Sequence, residues 1–199
     1  GNVADEVTRT VNVVDTTPPD APVLTTEAQT INADSILVIG TAEANASVDI
    51  TGGASPVTGT VDINGDFSVS VSLTQNAENI LSVTVTDASD NTSDISTVAI
   101  TEDSIAPDAP SIDNTDDTKN ADIETITGTA EADSTITVTG GVSTVTTTAA
   151  GGNFSVDAPL NQDITNVLQI TATDIAGNES SATTLTIIED SSPPSVVNY

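Results

Sequence analysis

The sequence contains no cysteine, histidine, methionine or tryptophan, and its aromatic residues are two Phe and one Tyr. Its side-chain cations are Arg9 and Lys119, set against 30 Asp and Glu in 199 residues, for a formal net charge of −28. Each shortage excludes something. Without His or Cys, zinc, copper, haem and iron–sulfur centres lack their usual ligands, and thiol, disulfide and imidazole chemistry are absent. One Lys and one Arg cannot hold a polyanion, so no nucleic acid partner is expected. Membrane surfaces are negative too, and no apolar run approaches a spanning length, so no membrane insertion is expected. A sugar-cleaving cleft would lack aromatic platforms, and a Ser nucleophile would have neither a His base nor a G-x-S-x-G elbow, so the chain is not expected to be an enzyme. Carboxylates, hydroxyls and amides remain. These are hard oxygen donors, suited to calcium or magnesium.

High acidity with few aromatics is also a signature of disorder. The apolar residues argue against it here. They make up 36% of the chain, and they are patterned rather than scattered. Phe67, Val69, Val71 and Leu73 alternate with Ser68, Ser70 and Ser72. Leu81, Val83 and Val85 alternate with Ser82, Thr84 and Thr86. A period of two with one polar face marks a half-buried antiparallel strand. The 35 Thr residues suit exposed strand faces.

The sequence also repeats itself. Gly40-Thr41-Ala42-Glu43-Ala44 returns as Gly128-Thr129-Ala130-Glu131-Ala132, and Thr51-Gly52-Gly53 as Thr139-Gly140-Gly141. Phe67-Ser68-Val69 returns as Phe154-Ser155-Val156, and Thr86-Asp87 as Thr173-Asp174. The junction Asp15-Thr16-Thr17-Pro18-Pro19-Asp20-Ala21-Pro22 matches Asp103-Ser104-Ile105-Ala106-Pro107-Asp108-Ala109-Pro110, and a third begins at Asp190-Ser191-Ser192-Pro193-Pro194. The expected organisation is therefore a last strand of a preceding repeat (1–14), domain 1 (15–102), domain 2 (103–189) and the start of a following repeat (190–199). Each unit shows about seven short strands separated by turn signals, with no helical periodicity. The fold expected is all-β: two tandem immunoglobulin-like seven-stranded β-sandwiches, end to end. Phe67 and Phe154 are the expected large core side chains, in otherwise aliphatic cores.

Three motifs carry a family resemblance: the D-x-x-x-P-D-A-P junctions, the G-T-A-E-A segment, and the T-D-x-x-x-N loop before the last strand. With them the chain resembles, along its whole length, the tandem bacterial immunoglobulin-like repeats of giant secreted adhesins, including biofilm-associated and RTX-type surface proteins. The resemblance implies type I secretion, display at the cell surface, a role as a stalk, and calcium ions that stiffen the joints between repeats.

The carboxylates point to calcium independently. In an up-and-down sandwich the loops after the second, fourth and sixth strands return to the end where the chain enters. In the first unit that end carries Glu43, Asp87 and the junction residues Asp15 and Asp20. In the second it carries Glu131, Asp174, Asp103 and Asp108. Such clusters repel unless a cation reverses the sign of the interaction. Interdomain calcium is thus expected at Asp15, Glu43 and Asp87, and at Asp103, Glu131 and Asp174, with Glu102, Asp20 and Asp108 as further ligands. The competing reading is solvated loop carboxylates that keep the surface soluble. Asp62-Ile63-Asn64-Gly65-Asp66 begins like a calcium loop, but its twelfth position is Leu73 instead of Glu, so a tight Asn-Gly turn is expected. Asp113, Asp116, Asp117 and Asp122 near Lys119 are expected to be a solvated loop. Lys–Asn cross-links cannot be general to the units, because Lys119 is the sole lysine.

The function expected is a stalk that extends an adhesin from a bacterial surface, with neighbouring repeats and calcium as its partners. Two alternatives stand beside it: a ligand-binding module, or a self-associating subunit of an extracellular filament or surface layer in which residues 1–14 complete another chain's sheet. A stalk predicts near-identical unit surfaces without an apolar patch. A binding module predicts such a patch on one unit.

Overall fold

The computed structural model describes residues 14–194. The expected strand within 1–14 and the end of the 190–199 segment lie outside the described residues. The chain parts into two compact units between Thr101 and Glu102, with the short stretch Thr30–Ala33 grouped with the second. No helix occurs among the described residues.

Each unit is a sandwich of one three-stranded and one five-stranded sheet. In the first, β1 (Val23–Leu24), β3 (Ser35–Thr41) and β6 (Asp66–Ser72) form the small sheet, in the order β1-β3-β6. The large sheet runs β2 (Gln29–Ile31), β8 (Ser96–Glu102), β7 (Ala77–Thr86), β4 (Ser47–Thr51) and β5 (Val57–Thr60). In the second unit, β14 (Asn153–Pro159), β11 (Ile123–Thr129) and β9 (Ser111–Ile112) form the small sheet. The large one runs β10 (Asp117–Lys119), β16 (Thr183–Glu189), β15 (Thr165–Thr173), β12 (Thr135–Thr139) and β13 (Val145–Thr148).

The count differs from the expected seven because the first strand is broken and its halves join different sheets. β9 lies antiparallel to β11, whereas β10 lies parallel to β16, with Asp117 opposite Ile187 and Lys119 opposite Glu189. One side chain ends the first ladder. Asn114 donates to the Thr125 carbonyl (2.9 Å) and accepts from the Thr127 N–H (3.0 Å). It thereby takes the backbone groups a longer β9 would have used. Thr26 does the same to β3, accepting from the Ile39 N–H at 2.8 Å. The freed chain crosses to the other sheet.

The alternating residues face inward as expected. Val71, Leu81, Val83 and Val85 are fully buried in the first unit, as are Leu168, Ile170 and Ala172 in the second, and Phe67 and Phe154 are 3% and 6% exposed. The repeated glycine of the G-T-A-E-A segment has a steric cause. A Cβ on Gly40 would lie 2.5 Å from the Val23 carbonyl oxygen and 2.7 Å from the Phe67 ring. One on Gly128 would lie 2.1 Å from the Ser111 carbonyl oxygen. Only glycine lets the first strand and the phenylalanine ring close over the second strand. The Asn64-Gly65 segment is the expected tight turn. The Asp62 N–H donates to the Asp66 carbonyl (2.8 Å), and Gly65 takes a left-handed φ of 90°.

Candidate functional site

The loop following β7 is closed by an aspartate. Asp87 accepts from the Ser89 N–H (2.8 Å), the Asn91 N–H (2.9 Å) and the Asn91 side-chain amide (2.9 Å). The same amide reaches the carbonyl of Asp15 at 3.2 Å. The loop after β15 repeats the pattern. Asp174 accepts from the Asn178 N–H and side-chain amide, both at 2.8 Å, and that amide donates to the Asp103 carbonyl at 2.9 Å. The T-D-x-x-x-N motif is thus a loop clamp that also pins the junction backbone. Asp15, Asp103 and Asp190 each cap their junction by accepting an N–H two residues on.

The clamps shape acidity. Hydrogen bonds from the Asn91 side chain and backbone hold the Asp87 carboxyl below the usual range. At Asp174 burial works upward, but donation from Asn178 and the Gly177 and Ala176 N–H groups outweighs it, and the net shift is downward. A lowered carboxyl stabilises the fold above its unfolded value of about 3.9 and loses that contribution as pH falls through the folded value. Asp174→Ala should therefore lower stability at pH 7 by about 1 kcal/mol. In urea titrations the gap from the parent protein should narrow as pH falls below the unfolded carboxyl value of about 3.9. A gap that stays constant into acid would mean that the ionised form is not what closes the loop.

The remaining expected ligands divide differently. Asp20 and Glu43 line one shallow groove with Asn64 and Gly65, and Asp108 and Glu131 line its counterpart with Ser111 and Thr129. Two loops meet behind these grooves, where the Ala42 N–H donates to the Gly65 carbonyl and the Ala130 N–H to that of Gly152. The structure therefore links Asp15 with Asp87 and Asp103 with Asp174, through asparagines, and sets Glu43 beside Asp20 and Glu131 beside Asp108. Among the described residues, no three His, Cys, Asp or Glu form a metal-holding group.

Glu102 ends β8 and is 1% exposed, although loop carboxylates look the stronger candidates in sequence. Its repeat counterpart Glu189, which sequence reasoning missed, ends β16 and is also 1% exposed. Glu189 Oε2 accepts from the Asp163 N–H at 2.6 Å. Its Oε1 is buried and has no hydrogen-bond partner among the described residues. Asp163, with a left-handed φ of 55°, accepts from the Ser192 hydroxyl (2.9 Å) and the Ser191 hydroxyl (3.2 Å), which hold its carboxyl below the usual range. The Ser191 hydroxyl also lies 3.4 Å from Glu189 Oε2. Glu189, Asp163 and the hydroxyls of Ser191 and Ser192 thus form one hydrogen-bonded group at the end of β16. The signal was available, because Glu189 follows Glu102 at the repeat offset of the later part of the unit.

The acidic run of the second unit contains an ion pair. Lys119 Nζ donates to Glu124 Oε2 at 2.7 Å and lies 3.7 Å from Asp117. The hydrogen bond to Glu124 raises the Lys119 pKa. Asp113 and Asp116 are tied to neighbouring strands, accepting from the Thr127 hydroxyl and the Thr186 N–H.

This two-sheet sandwich, present twice, defines an immunoglobulin-like tandem. The family profile described as bacterial Ig domain matches residues 19–102 and again 106–189, so the chain belongs to that family and carries two of its domains. The resemblance read from the sequence holds at the level of the domain. No curated protein matches the chain. Among solved structures, the fibronectin(III)-like modules of Clostridium thermocellum CbhA are similar in fold, with a TM-score of 0.55 at 10% identity over 89% of this chain and 99% of that one. An Antarctic bacterium's Ca2+-stabilized, ice-binding adhesin aligns at 26% identity with a TM-score of 0.47, over 88% of this chain and 49% of that one. A 1.5-MDa bacterial ice-binding adhesin aligns at 24% with a TM-score of 0.42, over 86% and 64%.

Proposed function

We propose that these two bacterial Ig domains are extender units of a bacterial surface adhesin, displayed outside the cell, with calcium stiffening their joints. What supports the calcium reading is the orphaned Oε1 of Glu189. A buried carboxylate oxygen without a donor is unfavourable. A cation that takes six to eight hard oxygen ligands removes that penalty. Glu189 and Asp163 would hold it at the end of the second unit, and Glu102 is the equivalent ligand at the end of the first. Asp15, Glu43 and Asp87, and Asp103, Glu131 and Asp174, with Asp20 and Asp108, are the carboxylates available to each joint. Thirteen carboxylates and no cation between residues 15 and 102 keep the surface soluble in either case.

The test is small-angle scattering with thermal melts in millimolar calcium, in magnesium, and in excess chelator. Calcium should lengthen the particle and raise the melting temperature. At about a hundredfold excess over Kd, binding stabilises by about 2.7 kcal/mol. Glu189→Gln should lose part of that response. If neither length nor melting responds to calcium beyond magnesium, the metal reading is wrong and the acidic clusters are solubilising surface.

One observation favours a binding module as the second reading. Leu37 and Ile39 stand 50% and 43% exposed on β3, where the second unit has Thr125 and Thr127. The unit surfaces are therefore not identical, contrary to the simplest stalk.

A further inference from the structure

We propose that the second unit closes an amide cross-link between the side chains of Lys119 and Asn114, with Glu124 relaying the proton and ammonia leaving. Three positions differ together between the units. Thr26, Ile31 and Ile36 of the first become Asn114, Lys119 and Glu124 of the second. Exchanging an apolar pair for a half-buried ion pair brings little or no stability in itself, so stability alone does not account for the exchange. Glu124 is 5% exposed, and its two oxygens face two different groups. Oε2 accepts from Lys119 Nζ at 2.7 Å, and Oε1 accepts from the Asn114 side-chain amide at 2.7 Å. The Asn114 oxygen meanwhile accepts from the Thr127 N–H at 3.0 Å. Nucleophile, leaving nitrogen, proton relay and oxyanion donor are therefore held in one constellation.

The step balances without any added reagent. Lys119 Nζ passes a proton to Glu124 Oε2, and the freed lone pair attacks Asn114 Cγ. Negative charge develops on Oδ1, against the Thr127 N–H. The Nζ–Cγ bond forms and the Cγ–Nδ2 bond breaks. Nζ gives up one further proton on becoming an amide nitrogen, and the two protons released leave with Nδ2 as ammonium. Nothing is oxidised or reduced. Lys119 lies on β10, which pairs with the five-stranded sheet through β16, whereas Asn114 is bound to β11 of the three-stranded sheet. The amide would tie the two sheets of the unit together where the first strand crosses between them. That is a covalent substitute for a disulfide in a chain without cysteine.

Trypsin gives a direct readout, because Arg9 and Lys119 are the only cleavable residues. The purified 199-residue chain is incubated at neutral pH, its intact mass is measured, and it is then denatured and digested. The expected result is a mass lower by one ammonia and a 10–199 fragment resistant to further cutting. Lys119→Arg, which keeps the cation but offers no amine nucleophile, should show the sequence mass and be cut at position 119. Glu124→Gln should also show the sequence mass. A parent chain at the sequence mass, cut completely after Lys119, would overturn the proposal. So would an ammonia loss that persists in Lys119→Arg, since it would then arise elsewhere, as at Asn64-Gly65.

Discussion

Phe154→Ala should destabilise the second unit by about 3–5 kcal/mol. The ring is the one large aromatic in a core otherwise built of aliphatic residues such as Ile126, Ile136, Leu168 and Leu185. It lies against Gly128, so truncation leaves a cavity at the site where the first strand, β9, packs over β11. Domains of this size are stable by only about 5–15 kcal/mol in total. The variant should therefore lose a large share of its stability, and Phe67→Ala should do the same to the first unit. Calorimetry or a denaturant midpoint reads the effect. A melt like that of the parent protein would show that the ring does not organise the core.

Gly128→Ala approaches the same spot from the other side. The added methyl would start 2.1 Å from the Ser111 carbonyl oxygen and 3.0 Å from the Ile112 Cα. Both are backbone atoms, so no side-chain rotation relieves the clash, and β9 must move away from β11. Overpacking of this kind costs about 1–3 kcal/mol, and more where backbone has to shift. Gly40→Ala should be costly too, since the Val23 carbonyl oxygen lies 2.5 Å away, although there the Phe67 ring is one of the obstructing groups. If Gly128→Ala melts like the parent, the repeated glycine has some cause other than this contact. Gly151→Ala is a control for added bulk: a methyl there would meet nothing within 4 Å, though the left-handed φ of 58° adds a small backbone strain of its own.

The candidate site was legible by residue and much less so by geometry. Repetition singled out Asp87 with Asp174 and Asp15 with Asp103, and the structure does link Asp87 to Asp15 and Asp174 to Asp103. The links run through Asn91 and Asn178, whose side-chain amides bridge carboxylate to junction carbonyl. A sequence shows that an Asn follows four residues after an Asp. It does not show that the amide spends its donors on two segments some 75 residues apart. Glu43 shares a groove with Asp20, and Glu131 with Asp108, a neighbourhood that loop order alone does not specify.

By itself, the sequence determined the repeat, the all-β class, the inward faces of the long strands and the tight turn at Asn64-Gly65. These follow from causes that need no coordinates: a period of two along a strand, glycine at a left-handed φ, and a repeat offset of 88 residues early in the unit and 87 late. Tertiary structure alone decided the rest. β10 has three residues, too few for any alternation to register, and its parallel pairing with β16 depends on Asn114 releasing the chain from β11. Burial of Glu102, Glu124 and Glu189 was equally invisible. A carboxylate at a strand end reads as solvated until the packing around it is known. Whether its oxygens then meet Lys119 or the Asp163 N–H is a long-range property of the fold.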